Sequence, residues 1–495
     1  MPHEATTVHP LRAPLVERWD RAADIVVVGF GCAGAATAIE ASGCGASVLV
    51  LERAGGWGGS SAISSGQIYL GGGTHLQRAC GFEDSAAEMY CFLEAVVGAG
   101  HDEGKLRLYC DGSVEHFDWL VACGVPFKPV FYDGGYRPNV TDGGLMFSGG
   151  ENAAPWDRIV RPAPRSHTPC VDDPEGQRKG GWSLMNSLVA EAARRGVDVA
   201  YDVHALRLVL DDGGGVRGVV ARYYGQDVAV RAELGVVLTA GGFAFNDEMV
   251  RRHAPVIERC TRLGTDGDDG RSIRMAQAAG AAVKHMGASV SAYGVKSGAL
   301  APSILINRSG QRFINEDTYY GRVAQTVLLK QDGVSYLILD EDTFERIDAD
   351  SLQGRRPTWV GATVKELEAE MGLPRDALVN TVDFYNEHAE RGEDPLYGKR
   401  AAWLKPLRSP FGAIEMPIQS ISVFTAGGLD TTTDGHVLDL DGAPIPGLYA
   451  AGRTTSGLAV SGYVSGLSLG DGTFFGRRAG RAAAGAGARD EDSVG

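Results

Sequence analysis

The chain has 495 residues, 44% hydrophobic and 22% charged, a globular composition too long for one ordinary core and able to bury a sizeable cofactor. A formal charge of −15 and an isoelectric point near 5.2 leave no basic face for a phosphate backbone and argue against nucleic acid as a partner. The 69 glycines are about twice the usual share of roughly 7% and follow no collagen period, so they imply tight turns and close approach of backbone to a ligand.

In chain order, residues 1–20 read as a disordered or loosely docked arm. Charges at Glu4, Arg12, Glu17 and Arg18 and the lack of an apolar run argue against a secretory signal, and no stretch of about 18 apolar residues exists to cross a membrane; a cytoplasmic location is expected. Cys32, Cys44, Cys80, Cys91, Cys110, Cys123, Cys170 and Cys260 form no CxxC pair, and no histidine cluster has metal-ligand spacing. They are expected to be reduced and mostly buried, with no metal. Ile25–Val28 is a β-branched run suited to a strand buried on both faces of a parallel sheet. The small residues Ala33, Gly34, Ala35, Ala36, Ala38 and Ala41 predict a helix from Cys32 to Ser42 lying close on that sheet, and Ser47–Leu51 completes a βαβ unit. AAEMYCFLEAVV and VEHFDWLVAC predict inserted helices within 84–123. From Ala205 to Leu238, LRLVL, VRGVVARYY, VAVRA and GVVLT alternate with turns and predict a β-meander feeding back into the sheet. Residues 270–282 predict a further small-residue helix, and 285–425 a separate mixed lobe holding the helix VKELEAEMG. IPGLYAAGR, a glycine-rich loop and FFGRRAGRAAAG then return to the small-residue packing of the N-terminus. The last ten residues read as a solvated tail.

GFGCAG places Gly29, Gly31 and Gly34 directly after a predicted strand and at the opening of a helix, and Glu52 closes the next strand 18 residues beyond Gly34. The glycines serve a tight turn, backbone approach to a pyrophosphate and close contact of helix with strand. The pyrophosphate would sit on the helix N-terminus, whose free amides and dipole favour an anion. Glu52 would accept from ribose hydroxyls and repel a 2′-phosphate. NAD and FAD share this unit, which by itself leaves the dinucleotide open.

After Glu52 comes GGWGGSSAISSGQIY; with LTAGG at 238–242 and GLYAAGR at 447–453 it resembles the fumarate reductase and 3-ketosteroid dehydrogenase family of FAD enzymes, over nearly the whole chain. The resemblance implies an α/β fold: a Rossmann-type, glutathione-reductase-like FAD-binding domain assembled from N- and C-terminal segments (20–284 and 426–488), with an inserted α+β substrate cap (285–425). It implies FAD held by Gly29, Gly31, Cys32, Ala33, Gly34, Glu52 and Arg53, and by Gly58, Gly59, Ser60, Ser61, Ser65 and Gly66 along the pyrophosphate and flavin. Ala205 would contact adenine through its backbone, with Ala240, Gly241, Gly452, Arg453, Ser468 and Leu469 completing the site. Two relatives attach flavin through a histidine near the serine-rich stretch; none lies between Glu52 and Gly73, so noncovalent FAD is expected.

Within the family, INEDTYYGR at 314–322, SGYVSGLSLGDG at 461–472, GLMFSGGENAAP and DGRS at 269–272 are similar to the 3-ketosteroid Δ4-(5α)-dehydrogenases, which desaturate a saturated A-ring beside its keto group. On that match Tyr463 and Ser465 fall on the catalytic tyrosine and serine, and Tyr319, beside Tyr320, on the second tyrosine. A phenol with an ordinary pKa near 10 is a poor base unless its anion is stabilised, a task that falls to Ser465 and Tyr319. The Gly466 amide would face the developing enolate oxygen, although this loop is one residue shorter than that of the Δ1-dehydrogenases. The helix after Gly470 would point its N-terminus at the flavin pyrimidine ring. The implied partners are an apolar ketosteroid and an unnamed electron acceptor. Alternative readings are a Δ1-dehydrogenase, a fumarate-reductase-like enzyme using Arg312 and Arg322 on a dicarboxylate, and an electron-relay subunit without substrate chemistry.

Overall fold

The computed structural model describes residues 8–133, 144–173 and 178–485; the start of the expected arm and the expected tail lie outside the described residues. A mixed sheet of nine strands forms the centre. Strand β1 (Arg21–Val28) lies parallel to β2 (Val48–Leu51) on one side and to the 13-residue β3 (Gln226–Leu238) on the other. Ile25, Val26, Val27 and Val28 are all buried, as a strand covered on both faces requires. Helix α1 (Cys32–Gly43) makes the crossover between β1 and β2.

Strand β3 belongs to two pairings. Its first half closes an antiparallel meander with Val216–Tyr223, which in turn pairs with Val203–Leu210. Its second half runs parallel to both β1 and β4 (Pro444–Ala450), with Val236 opposite Leu448 and Leu238 opposite Ala450. Residues some two hundred positions apart in sequence thus share one sheet. Helix α2 (Leu467–Ala483) then packs on α1. A Cβ on Gly476 would stand 2.6 Å from the Ala33 carbonyl oxygen, and Thr37 Oγ1 donates to the Gly476 carbonyl at 3.0 Å. Only small residues permit that approach, which accounts for the alanine and glycine patterns at both ends.

Residues 285–425 contain an antiparallel sheet in the order Ile304–Ile306, Ser335–Asp340, Phe411–Met416, Trp359–Gly361. Its outer face packs on Leu367, Leu378 and Val382. The core is nonetheless continuous with the central sheet, because Leu305, Val323 and Leu337 pack in the same cluster as Val26 and Val236. Thr261–Arg262 also pairs with Ile421–Thr425, which pairs with Ser289–Tyr293.

Four local readings differ from the structure. The arm is docked rather than disordered: Leu11–Arg12 pairs in parallel with Val209–Leu210, because the open edge of the meander offers unpaired backbone groups, and the Asp20 amide, donating to the Ala229 carbonyl at 2.9 Å, extends the ladder between β1 and β3. The helix Gly180–Arg194, not anticipated, packs on the outer side of α1. Helix α2 begins at Leu467, before Gly470, so Ser468 and Leu469 stand in its first turn. Cys32, Cys110, Cys123 and Cys260 are buried, but Cys44 and Cys91 are exposed; all eight are free thiols.

Candidate active site

Apart from Gly34, every residue that the resemblance assigns to FAD or to ketosteroid chemistry lines one cavity of about 590 Å³, within the usual range of roughly 300–1,000 Å³ for small-molecule sites. Gly34 faces the other way. A Cβ there would collide with the Gly29 carbonyl, so this glycine serves the contact of helix with strand. At the β1–α1 turn, Cys32 and Ala33 present the start of α1 to the cavity, and the Cys32 amide donates to Ser61 Oγ at 3.2 Å. Glu52 at the end of β2 is held by two amides, its Oε2 accepting from Phe30 and its Oε1 from Ala54, each at 2.8 Å. Val203, His204 and Ala205 complete this wall.

Asp268, which sequence reasoning passed over, ties the two chain ends together here. It is 2% exposed. Its Oδ1 accepts from the Gly242 amide at 3.0 Å and its Oδ2 from Ser60 Oγ at 2.9 Å, while Arg453 Nη2 donates to both oxygens at 2.9 and 2.8 Å. Arg453 in turn lies over the Phe424 ring at 5.2 Å, and Phe424 packs edge-on against Tyr463 at 5.8 Å between ring centres.

The other wall carries the hydroxyl groups. Tyr319, Tyr320, Tyr463, Ser465, Ser468 and Gln67 all line it. The Tyr463 phenol oxygen accepts from the Ser468 amide at 3.3 Å, in the first turn of α2. Burial raises its pKa; hydrogen bonding by Ser468 and by the Gly466 amide works against that. Gly466 caps α2 in the left-handed region at φ 99°, where a side chain would be strained and would press on Gln67 and Tyr69 backbone. Ser465 does not face Tyr463. Its hydroxyl donates to Gln67 Oε1 at 2.9 Å and is a hydrogen-bond partner of both Tyr319 and Tyr320. Burial holds both of those phenols above their ordinary pKa. Both tyrosines therefore reach the site, with ring centres 4.7 Å apart. Gln67 lies in the GGWGGSSAISSGQIY stretch, where sequence gives it no role; only the fold brings it to Ser465.

The tyrosine pair is held by a buried polar run. Glu316 accepts from the Leu305 amide at 2.9 Å and pairs with Arg312 at 2.8 Å and Lys399 at 3.3 Å; Asp317 accepts from Arg400 Nε at 2.8 Å. Arg312 and Arg322, the arginines a dicarboxylate would need, have internal partners, and neither lines the cavity.

The residues fit a bound dinucleotide. Arg453 Nη1 and Arg271 Nε and Nη1 are buried at the cavity without a protein partner, the start of α1, where the N-cap Gly31 offers no side-chain cap, opens onto the same space, and a carboxylate stands at the end of β2. Dinucleotide, hydroxyl cluster and the return of the C-terminal segment to one sheet define a flavoprotein oxidoreductase site. The chain belongs to the FAD binding domain family, a family of FAD-dependent oxidoreductases, whose model matches residues 24–469, and its cofactor is FAD.

Among solved structures it is similar to the 3-ketosteroid Δ4-(5α)-dehydrogenase of Rhodococcus jostii RHA1 in complex with 4-androstene-3,17-dione: 49% identity, TM-score 0.93, covering 96% of this chain and 100% of that one. It is also 30% identical to the 4-oxocyclohexanecarboxylate 2-dehydrogenase of Sinomonas cyclohexanicum, over 95% of this chain and 94% of that protein. It is 27% identical to the NADH:fumarate oxidoreductase of Klebsiella pneumoniae (strain 342) over 93% of its length, but spans about half (47%) of that relative. Among the described residues no helix is long and apolar enough to cross a membrane.

Proposed function

We propose that this chain desaturates 3-keto-5α-steroids to 3-keto-4-ene steroids, with the FAD-binding domain built from both chain ends and residues 285–425 acting as the substrate cap. The observation that carries the reading is the convergence of Tyr319, Tyr320, Tyr463 and Ser465 on the cavity that also holds the dinucleotide cradle. Two dehydrogenases of ring ketones among the similar proteins support it. The commitment of Arg312 and Arg322 to internal carboxylates and carbonyls weighs against a dicarboxylate substrate.

FAD, when bound, supplies the acceptor for the hydride leaving carbon 5. The chain's own residues handle the proton on carbon 4, which the neighbouring ketone acidifies. Tyr463 takes it. Its anion would be met by the Ser468 amide and by the N-terminal dipole of α2, which favour negative charge at that oxygen. The Gly466 amide, a hydrogen-bond partner of the Tyr463 phenol in this structure, is the donor proposed for the enolate oxygen once bound substrate takes over that bond. Apolar Val290, Ala292 and Phe424 give the cavity the character a steroid requires. Phe424, stacked edge-on, keeps Tyr463 in place.

Anaerobic mixing with a saturated 3-ketosteroid should bleach the bound flavin and produce a conjugated 4-en-3-one. A 1,2-unsaturated product, or reoxidation of reduced flavin by fumarate with no response to the steroid, would overturn the reading. Tyr463→Phe should slow steroid-driven flavin reduction by roughly 10²-fold or more, the usual worth of a positioned base, while leaving flavin content unchanged.

A further inference from the structure

Gln67 lies in the turn before the short strand Ile68–Tyr69 and is 2% exposed. Its Oε1 accepts from Ser465 Oγ at 2.9 Å and from Ser65 Oγ at 3.2 Å, and its Nε2 faces Met146 Sδ at 3.5 Å. The opposite amide orientation would turn the oxygen onto a thioether, which has no proton to give, so the orientation present is the one that satisfies all three neighbours. We propose that Gln67 is a positioning residue that sets the hydrogen-bond direction of the tyrosine pair: by taking the Ser465 hydroxyl proton on its amide oxygen, it leaves the Ser465 oxygen to accept a proton from the tyrosine pair rather than donate one to it.

A serine hydroxyl has one proton and two lone pairs. With the proton committed to Gln67, the Ser465 lone pairs face the phenols; Tyr319 and Tyr320 are also hydrogen-bond partners of each other, so one phenol donates to its neighbour and the neighbour donates to Ser465, and both are held as donors and stay protonated. An amide oxygen does not hold a proton near neutral pH, so Ser465 cannot pass one onward through Gln67. Tyr463 is built the other way. Its oxygen accepts from a backbone amide at a helix N-terminus, an arrangement that favours the anion. Of the three phenols, Gln67 thus keeps two neutral and leaves Tyr463 as the base; this last step rests on the function proposed above.

The test measures the phenols directly. A fluorinated tyrosine, acidic enough to titrate in the stable range, is placed at position 319 and separately at 320 in the flavin-loaded protein and followed by fluorine NMR against pH. Gln67→Leu should release the Ser465 proton to the phenols and raise their ionisation constant about tenfold. Gln67→Glu keeps the shape and an acceptor but adds negative charge, and should lower the constant. Titrations unchanged in both variants, or moved in the same direction by both, would overturn the proposal. If the leucine variant does not fold, the glutamate variant decides alone: a lowered constant supports the proposal and an unchanged or raised one overturns it. A protein that no 3-ketosteroid bleaches would remove the proposed substrate, whereas these titrations report on Gln67 whatever the substrate.

Discussion

Asp471, in α2, is buried with its Oδ2 on the Leu458 amide at 3.2 Å. Lys105 is buried nearby, but its Nζ donates to Thr431 Oγ1 at 2.9 Å and to the Ser456 carbonyl at 3.3 Å. Burial pushes the Asp471 carboxyl up to about 6 and the Lys105 amine down. Between its unfolded pKa near 3.9 and its folded value, the native state holds a proton that the unfolded chain has lost. The stability this contributes is complete below about pH 4 and is lost as pH rises through about 6, by roughly 3 kcal/mol. Asp471→Asn keeps an acceptor for Leu458 without the charge. Denaturant unfolding at pH 4 and pH 7 should therefore show wild type losing roughly 3 kcal/mol relative to the variant; a constant difference across that range would show that the carboxyl does not titrate there. At this scale sequence was informative for Gly29 and Glu52, whose neighbours in the chain define their roles. It was silent on Gln67 and Asp268, whose partners are far away in sequence.

The segment leading into the tyrosine pair shows what an element adds. Asn315, Glu316, Asp317 and Thr318 are all buried. No hydrophobic period marks such a run, yet each acidic group meets a cation or amide supplied from elsewhere, Lys399 and Arg400 among them. Removing one partner of a buried pair costs about 3–5 kcal/mol because the other charge stays behind. Glu316→Ala, leaving Arg312 and Lys399 facing an empty place, should lose stability of that order in thermal or denaturant unfolding and slow flavin reduction by displacing Tyr319. Unfolding within about 1 kcal/mol of wild type would mean the cluster relaxes onto Asp394. The N-terminus of α2 has a similar lesson. The sequence places its start four residues too late because LSLG looks like loop; in the fold Gly466 caps the helix and places the Ser468 amide on Tyr463.

For the molecule as a whole, the cavity joins parts distant in sequence that the sheet, the α1–α2 contact and the Asp268–Arg453 pair help to hold together. A cofactor bound across them stabilises the folded state by mass action, by about 4 kcal/mol at a thousandfold excess over its dissociation constant. Stripping FAD should lower the midpoint of thermal unfolding and adding it back should restore it; acid precipitation should leave the yellow colour in the supernatant. His204, beside Ala205, is the histidine among the cavity-lining residues, and colour retained in the pellet would make it the first residue to examine.

The β1–α1–β2 unit, the meander and the small-residue helices were determined by sequence alone, because each depends on contacts within a few tens of residues and on periodicities that side-chain type reveals. The tertiary structure decided which hydroxyl faces which. It turned Ser465 toward Gln67, Tyr319 and Tyr320, gave Tyr463 to Ser468, and recruited Asp268 to bridge Ser60 and Arg453. Those pairings join residues separated by up to some four hundred positions, and hydrogen-bond direction follows from where the last proton can go, which no local pattern records.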